Sequence, residues 1–233
     1  SSVGTIMRKI AAAACAAFGG FLLAAPASAA VVTEADLVTC EGLAVCNVGG
    51  STITPTGGLL QGKSVAGQYG LGISGGTFGE IDINQMMQVV FNADVVMNAI
   101  KIVFFYNGPE FGDPNEKGRI DVELSSGGTQ SYFIEVVGEN TATITGPGAG
   151  GLVTSCGDTT DAGSGCFIFG GDPLGAAVIK SVTLTALNVP GFSNNSDFSL
   201  AGFEVTAIPL PGAALLLLSG VAGLGFASRR KKA

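Results

Sequence analysis

Residues 100–124 read IKIVFFYNGPEFGDPNEKGRIDVEL, two apolar runs with a period of two that are joined by a turn-rich loop. In the first run, Ile100 to Tyr106, both phases of the alternation are largely apolar, which predicts a strand buried on both faces at the centre of a sheet. In the second run, Ile120, Val122 and Leu124 alternate with acidic residues, which predicts one face in the core and one in water. The stretch therefore predicts β-structure rather than helix.

The period of two continues outward from this stretch. Val182, Leu184 and Ala186 alternate with hydroxyl side chains, and further on the apolar phase slips at Ala201-Gly202, which predicts a β-bulge. Short runs between glycine- and proline-rich turns, with no convincing amphipathic helix between the termini, are typical of all-β domains. We therefore predict that residues 30–207 form an antiparallel β-sandwich with jelly-roll-like connections.

Composition limits what this body can do. The chain of 233 residues has no histidine, which excludes Ser-His-Asp and Cys-His catalysis and imidazole metal ligands. Six of its eleven basic residues lie at the two ends, so the segment between them has five basic and eighteen acidic residues, a net charge of −13. A field of that sign repels phosphate backbones, so we expect no nucleic-acid partner. The chain also lacks a nucleophile elbow and a glycine-rich phosphate loop, and we expect no catalytic residue and no enzymatic activity.

The amino-terminal residues 1–29 predict a secretory signal peptide. The basic pair Arg8-Lys9 is followed by an apolar stretch, and Ala27-Ser28-Ala29 places small residues at both cleavage subsites. Signal peptidase is then a processing partner, and the mature chain is expected to begin at Ala30. The alternative is an uncleaved membrane anchor.

The carboxyl-terminal residues 208–233 combine a proline motif, an apolar segment and a basic tail. The seventeen uncharged residues 212–228 would span roughly 25 Å as a helix, near the short limit for a hydrocarbon core of about 30 Å. The basic tail predicts that this transmembrane helix ends in the cytoplasm and that the body lies outside the membrane. The residues of the motif and tail are Ile208, Pro209, Leu210, Pro211, Gly212, Arg229, Arg230, Lys231 and Lys232.

In the order of these three parts, the terminus resembles the PEP-CTERM sorting signal, specifically its VPLPA-CTERM variant. Ile208 stands where that variant has Val, and Gly212 precedes Ala213. The resemblance implies export by a Gram-negative bacterium that makes exopolysaccharide, through a single-pass inner-membrane precursor. It also implies an exosortase partner that cuts near the proline motif and releases or transfers the mature protein. A permanent single-span anchor is the alternative.

The body resembles exported sandwich domains of the same sorting family in residues 79–91, 104–122 and 196–211. In the last of these segments a final strand runs directly into the sorting motif. The resemblance implies a fold and a periplasmic, cell-surface or extracellular location. It implies no activity.

Four cysteines remain after the signal peptide is removed, and an even count in an exported chain predicts disulfides. Three connectivities are possible. The simplest pairs Cys40 with Cys46 and Cys156 with Cys166, because each pair brackets a loop that contains glycine. A zinc site is the alternative, although the spacings are not those of zinc knuckles.

The acidic loop after the first quoted run is a candidate metal site. Glu110, Asp113, Asn115 and Glu116 place four oxygen-bearing side chains within seven residues, the ligand type that calcium prefers. The loop fails as an EF-hand, since a lysine and a leucine stand at ligand positions. We predict a looser structural calcium site there, with Glu80 or Asp82 as a further ligand. The alternative is a solvated loop whose acids are neutralised by Lys117 and Arg119.

Two functions fit these observations. The first is a non-enzymatic protein of the cell surface or of its exopolysaccharide matrix. The second is a carbohydrate-binding module, which the predicted fold would suit. Sugar-binding faces often stack rings on aromatic side chains, and a chain without Trp and with three Tyr is poorly supplied with them. The sequence therefore favours the first function.

Overall fold

The longest strand of the computed structural model passes through the first quoted run. The structure describes residues 28–108, 115–159, 163–190 and 196–209. In chain order the elements are β1 (Ala29–Val32), α1 (Glu34–Val38), β2 (Cys46–Val48), β3 (Ser51–Thr56), β4 (Leu60–Val65), β5 (Gln68–Ile73), β6 (Met86–Val103), β7 (Lys117–Leu124), β8 (Thr129–Gly138), β9 (Thr141–Thr145), β10 (Leu152–Ser155), β11 (Phe167–Gly170), β12 (Val178–Ala186) and β13 (Ser199–Ala207).

Strand β6 is central, as predicted, and its two halves have different neighbours. Residues 86–91 pair with β3 on one side and with β12 on the other. Residues 95–103 pair with β13 and, over residues 99–102, with β11. Strand β12 pairs with β6 on both sides of a register shift, at residues 87–90 and again at 95–96. Along β6, the neighbour on one side therefore changes from β3 to β13 and the neighbour on the other from β12 to β11.

All strand pairs are antiparallel. One group of strands continues from β12 through β7 and β8 to β9, with β2 attached to β3. The other group continues from β13 to β5 and β4, with β1 also on β13 and β10 on β11. Apolar side chains from both groups form one buried cluster, so the chain folds as an all-β sandwich.

The core has the phases that the alternation predicted. Ile120 and Val122 on β7 and Leu184 on β12 are almost fully buried. Just beyond β6, the ring of Phe105 meets that of Phe167 edge-on at 6.3 Å and that of Phe198 at 5.7 Å, which packs the end of β6 against β11 and the start of β13.

The predicted bulge is present, and its glycine has a clear reason. The register of β13 with β6 shifts between Leu200 and Gly202. Gly202 has a φ of 155°, and a Cβ there would lie 2.5 Å from the carbonyl oxygen of Val32. A side chain would therefore push β1 away from β13.

Two local features differ from the sequence analysis. The predicted central strand ends at Val103 rather than Tyr106, because Phe104 has a φ of 59° and its N–H leaves the sheet for the carbonyl of Ser164. The one-turn helix α1 was not predicted. It is too short for apolar periodicity to show, and it is set by Asp36, whose carboxylate accepts the N–H of Thr33.

The boundaries predicted for the body fall close to the edges of the described fold. Ala29 already belongs to β1, opposite Thr206, and the carbonyl of Ser28 accepts the N–H of Ala207. Cleavage after Ala29 would leave residues 30–32 paired with β13. Among the described residues no helix is long and apolar enough to span a membrane. The predicted signal helix and transmembrane helix lie almost wholly outside the described residues.

Candidate functional site

Both local disulfides are present. Cys40 and Cys46 join the end of α1 to the start of β2 with a Cα–Cα distance of 5.3 Å. Cys156 and Cys166 close the loop between β10 and β11 at 4.9 Å. Each closes a short loop, which restricts the unfolded chain and stabilises the fold by about 2–3 kcal/mol.

Three acidic side chains meet at one edge of the sandwich, and we name Glu80, Glu116 and Asp197 the carboxyl cluster. Glu80 forms an isolated bridge with Ile73, and the next residue bridges to Phe198. Glu116 directly precedes β7, and Asp197 lies two residues before β13. Strand pairing therefore brings together side chains that lie far apart in sequence.

Glu80 is buried and carries the cluster's basic contact. It is 2% exposed, and its Oε1 accepts a hydrogen bond of 2.6 Å from Lys63 Nζ. Lys63 Nζ also lies 4.9 Å from the centre of the Phe104 ring, a cation–π contact. Burial, then the nearby Asp197, raises the pKa of Glu80 to about 8, despite the opposing effect of Lys63.

Glu116 is equally buried and lacks such a basic contact in the described part of the chain. Its Oε2 accepts the backbone N–H of Tyr106 at 2.5 Å. Burial, then the charge of Asp197, holds the pKa of Glu116 well above its ordinary value.

Asp197 is the acceptor that links the two glutamic acids. Burial raises the pKa of Asp197, while hydrogen bonds from Thr77, Glu116 and Glu80 oppose that rise. The hydrogen bonds within the cluster raise the pKa of Glu80 and Glu116 and oppose the rise at Asp197, which is the pattern of two glutamic acid donors and an aspartate acceptor. Asp82 lies at the margin and accepts the N–H of Thr77. The protons of Glu80 and Glu116 therefore link three parts of the chain: the bridge at Glu80, the residue before β7 and the residues before β13.

The two glutamic acids of the cluster are only 2% exposed, so their carboxyl groups are almost closed to solvent.

The structure brings only part of the predicted calcium site together. Glu116 and the further candidate Glu80 both belong to the carboxyl cluster, and Asn115 directly precedes Glu116. Glu110 and Asp113 lie outside the described residues. Among the residues that are described, no three acidic or cysteine side chains are arranged so that they could hold a metal ion. The calcium site stays a prediction.

The expected counter-charges of the loop have other contacts. Lys117 Nζ lies 2.7 Å from Glu135 on the neighbouring strand, and Arg119 Nε lies 2.8 Å from Asp121. Neither pair includes Glu116. The basic residue at the cluster is Lys63, which sequence reasoning missed because β4 reaches the cluster only through tertiary pairing.

Two residues of the predicted sorting motif are described. Ile208 is 38% exposed, and its N–H donates to the carbonyl of Asp94 at 2.8 Å. Pro209 follows as an exposed residue. The other residues of the motif and the basic tail lie outside the described residues. Strand β13 ends at Ala207, directly before Ile208.

The chain matches no protein-family model, and comparison with curated proteins finds no significant match.

Proposed function

We propose that this chain is an exported, non-enzymatic protein of the bacterial cell surface or its exopolysaccharide matrix. In this proposal a signal peptide starts export, and a PEP-CTERM-type signal of the VPLPA-CTERM variant directs the inner-membrane precursor to an exosortase. The matrix polysaccharide is a further partner, and no nucleic acid is bound.

The observation that carries the proposal is the pair of closed disulfide loops. Disulfides form and persist outside the reducing cytosol, and all four cysteines of the body are used in them. The acidic surface expected from a body charge of −13 suits a soluble extracellular domain.

The fold and the carboxyl cluster support a structural role. The proposal takes the sandwich as jelly-roll-like, since β12 lies between β6 and β7 and β13 lies between β5 and β6. The buried carboxyls join strand ends rather than face a substrate. A structural calcium ion at the loop of Glu110, Asp113, Asn115 and Glu116 remains part of the proposal.

Thiol trapping in an exosortase-containing host tests the proposal. Cells would be treated with an alkylating reagent before lysis, fractionated, and mapped by non-reducing peptide analysis. We expect both disulfides in periplasmic or extracellular material. A matched chain without residues 8–29 should stay in the cytosol with alkylated cysteines. Wild-type chain recovered in the cytosol with Cys40, Cys46, Cys156 and Cys166 all alkylated would contradict export.

A further inference from the structure

A second feature of the molecule lies away from the carboxyl cluster. A cavity of about 530 Å³ opens where the chain passes from β1 into α1, and we name it the β1–α1 cavity. Its volume falls within the range of ordinary small-molecule sites. Its lining includes Val31, Glu34, Gln68, Ala99, Lys101 and Glu204.

The bulge in β13 creates this cavity. Four consecutive residues, 201–204, line it, whereas a regular strand would present only every second residue to one side. Gly202 lies opposite Lys101 on β6, and the carbonyl oxygen of Val32 lies 2.5 Å from where its Cβ would be, so β1 passes close to the bulge. The cavity is therefore built into the fold.

The floor of the cavity is apolar and fixed. Val32, Ala201 and Phe203 are at most 4% exposed, and the ring of Phe203 packs edge-on against Phe91 at 5.8 Å. Apolar walls with a few placed polar groups are typical of ligand sites. Because these three side chains are almost fully covered, a ligand here would bind mainly by hydrogen bonds rather than by stacking on a ring.

The polar groups are held in place by one another. Lys101 Nζ donates to Glu34 Oε1 and to Gln68 Oε1, both at 2.5 Å. Glu34 Oε2 accepts the N–H of Tyr69 at 3.0 Å, which fixes the carboxylate. Across the cavity, Glu204 Oε1 accepts a bond of 3.2 Å from Asn98. These bonds fix the polar groups that line the cavity.

The charges of Lys101, Glu34 and Glu204 favour a neutral ligand over an anion or a cation. An anion would face Glu34 and Glu204 with only one ammonium, itself already paired. A cation would compete with Lys101 for Glu34 and leave that ammonium unpaired in a partly buried site. A hydroxyl both donates and accepts, so a neutral polyhydroxylated molecule can add bonds to Lys101, Glu34 and Glu204 without breaking the ion pair.

We propose that the β1–α1 cavity binds a neutral saccharide, through hydroxyl contacts to Lys101, Gln68 and Glu204 and apolar contact with Val31, which is 57% exposed. The site would be where the chain contacts the matrix polysaccharide, and in this respect the inference rests on the proposed function. Binding by the purified chain does not depend on how the chain is exported, so this proposal and the export proposal can fail separately.

The test is saccharide binding by the full chain in a detergent without sugar headgroups. A glycan array with neutral, uronic-acid and amino-sugar glycans is followed by titration calorimetry with the neutral oligosaccharide that binds best. We expect neutral glycans to bind, and Lys101→Met to weaken binding about tenfold or more. Ala99→Leu, which fills the cavity without removing a charge, should abolish binding while the melting temperature stays close to wild type.

The matched control is Lys180→Met, since Lys180 is exposed on β12 away from the cavity. It should bind as wild type does. Absence of any glycan binding at millimolar concentration would overturn the proposal. So would a preference for charged glycans, or equal binding by wild type and Ala99→Leu.

Discussion

Replacing Glu80 by Gln should remove a large part of the pH dependence of stability. Gln has the same shape, its amide N–H can donate to Asp197 as the protonated acid does, and its oxygen can still accept from Lys63. The variant therefore keeps the contacts of the carboxyl cluster and removes one titration.

The sign and size follow from the two pKa values. Burial and Asp197 raise the pKa of Glu80 to about 8 in the folded protein, whereas the unfolded chain releases this proton near the ordinary value of 4.5. Because the folded state holds the proton longer, rising pH in this window favours the unfolded chain by about 1.4 kcal/mol per pH unit. Between pH 5 and pH 7.5 the wild type should lose about 3 kcal/mol more than Glu80→Gln, roughly 10 °C in melting temperature.

The assay is thermal and urea unfolding of both chains from pH 5 to pH 9. The matched control is Glu139→Gln, an exposed carboxylate in the turn between β8 and β9, which should follow the wild-type curve. Parallel curves for wild type and Glu80→Gln would refute a protonated Glu80. A wild type that gains stability from pH 5 to pH 7.5 relative to the variant would do the same.

Three further predictions concern other parts of the molecule. The Cys156→Ser, Cys166→Ser double variant should melt about 5–10 °C below wild type, because the loop between β10 and β11 is no longer closed; an unchanged melting temperature contradicts this. Tyr132→Phe should destabilise by about 1 kcal/mol, since the buried hydroxyl lies 2.9 Å from the carbonyls of Pro147 and Leu174, and equal urea midpoints would show that this bond contributes nothing. If the predicted calcium site exists, calcium at 100 times its dissociation constant should stabilise the chain by about 2.7 kcal/mol over chelator, and Glu116→Gln should abolish that gain; identical melts in calcium and chelator rule the site out.

The fold was largely predictable because its signals are local. The apolar alternation that predicts β6, β7 and β12 lies within the sequence of each strand. The bulge is indicated by a change of the apolar phase at Ala201-Gly202. The disulfide pairs were predictable for the same reason, since each closes a short loop. The end of β6 at Val103 was not predictable, because it depends on the hydrogen bond from the Phe104 N–H to the carbonyl of Ser164, in the segment before β11.

The sites were less predictable because they depend on pairing between distant strands. Glu80 and Glu116 stood out as acids near strand ends, but Asp197 and Lys63 join them only when β13 and β4 are in place. Lys101 looked like one polar residue in a central strand. Its partner Glu34 comes from a helix too short to predict, so the β1–α1 cavity had no sequence signal.

Intact-mass analysis of the protein recovered from the extracellular or cell-surface fraction of an exosortase-containing host tests export and sorting most directly. The proposal predicts one species that begins at or next to Ala30, ends near Pro211, and is lighter by four hydrogens for two disulfides. A chain found solely in the inner membrane, intact to Ala233, would contradict the sorting signal and leave a permanent anchor.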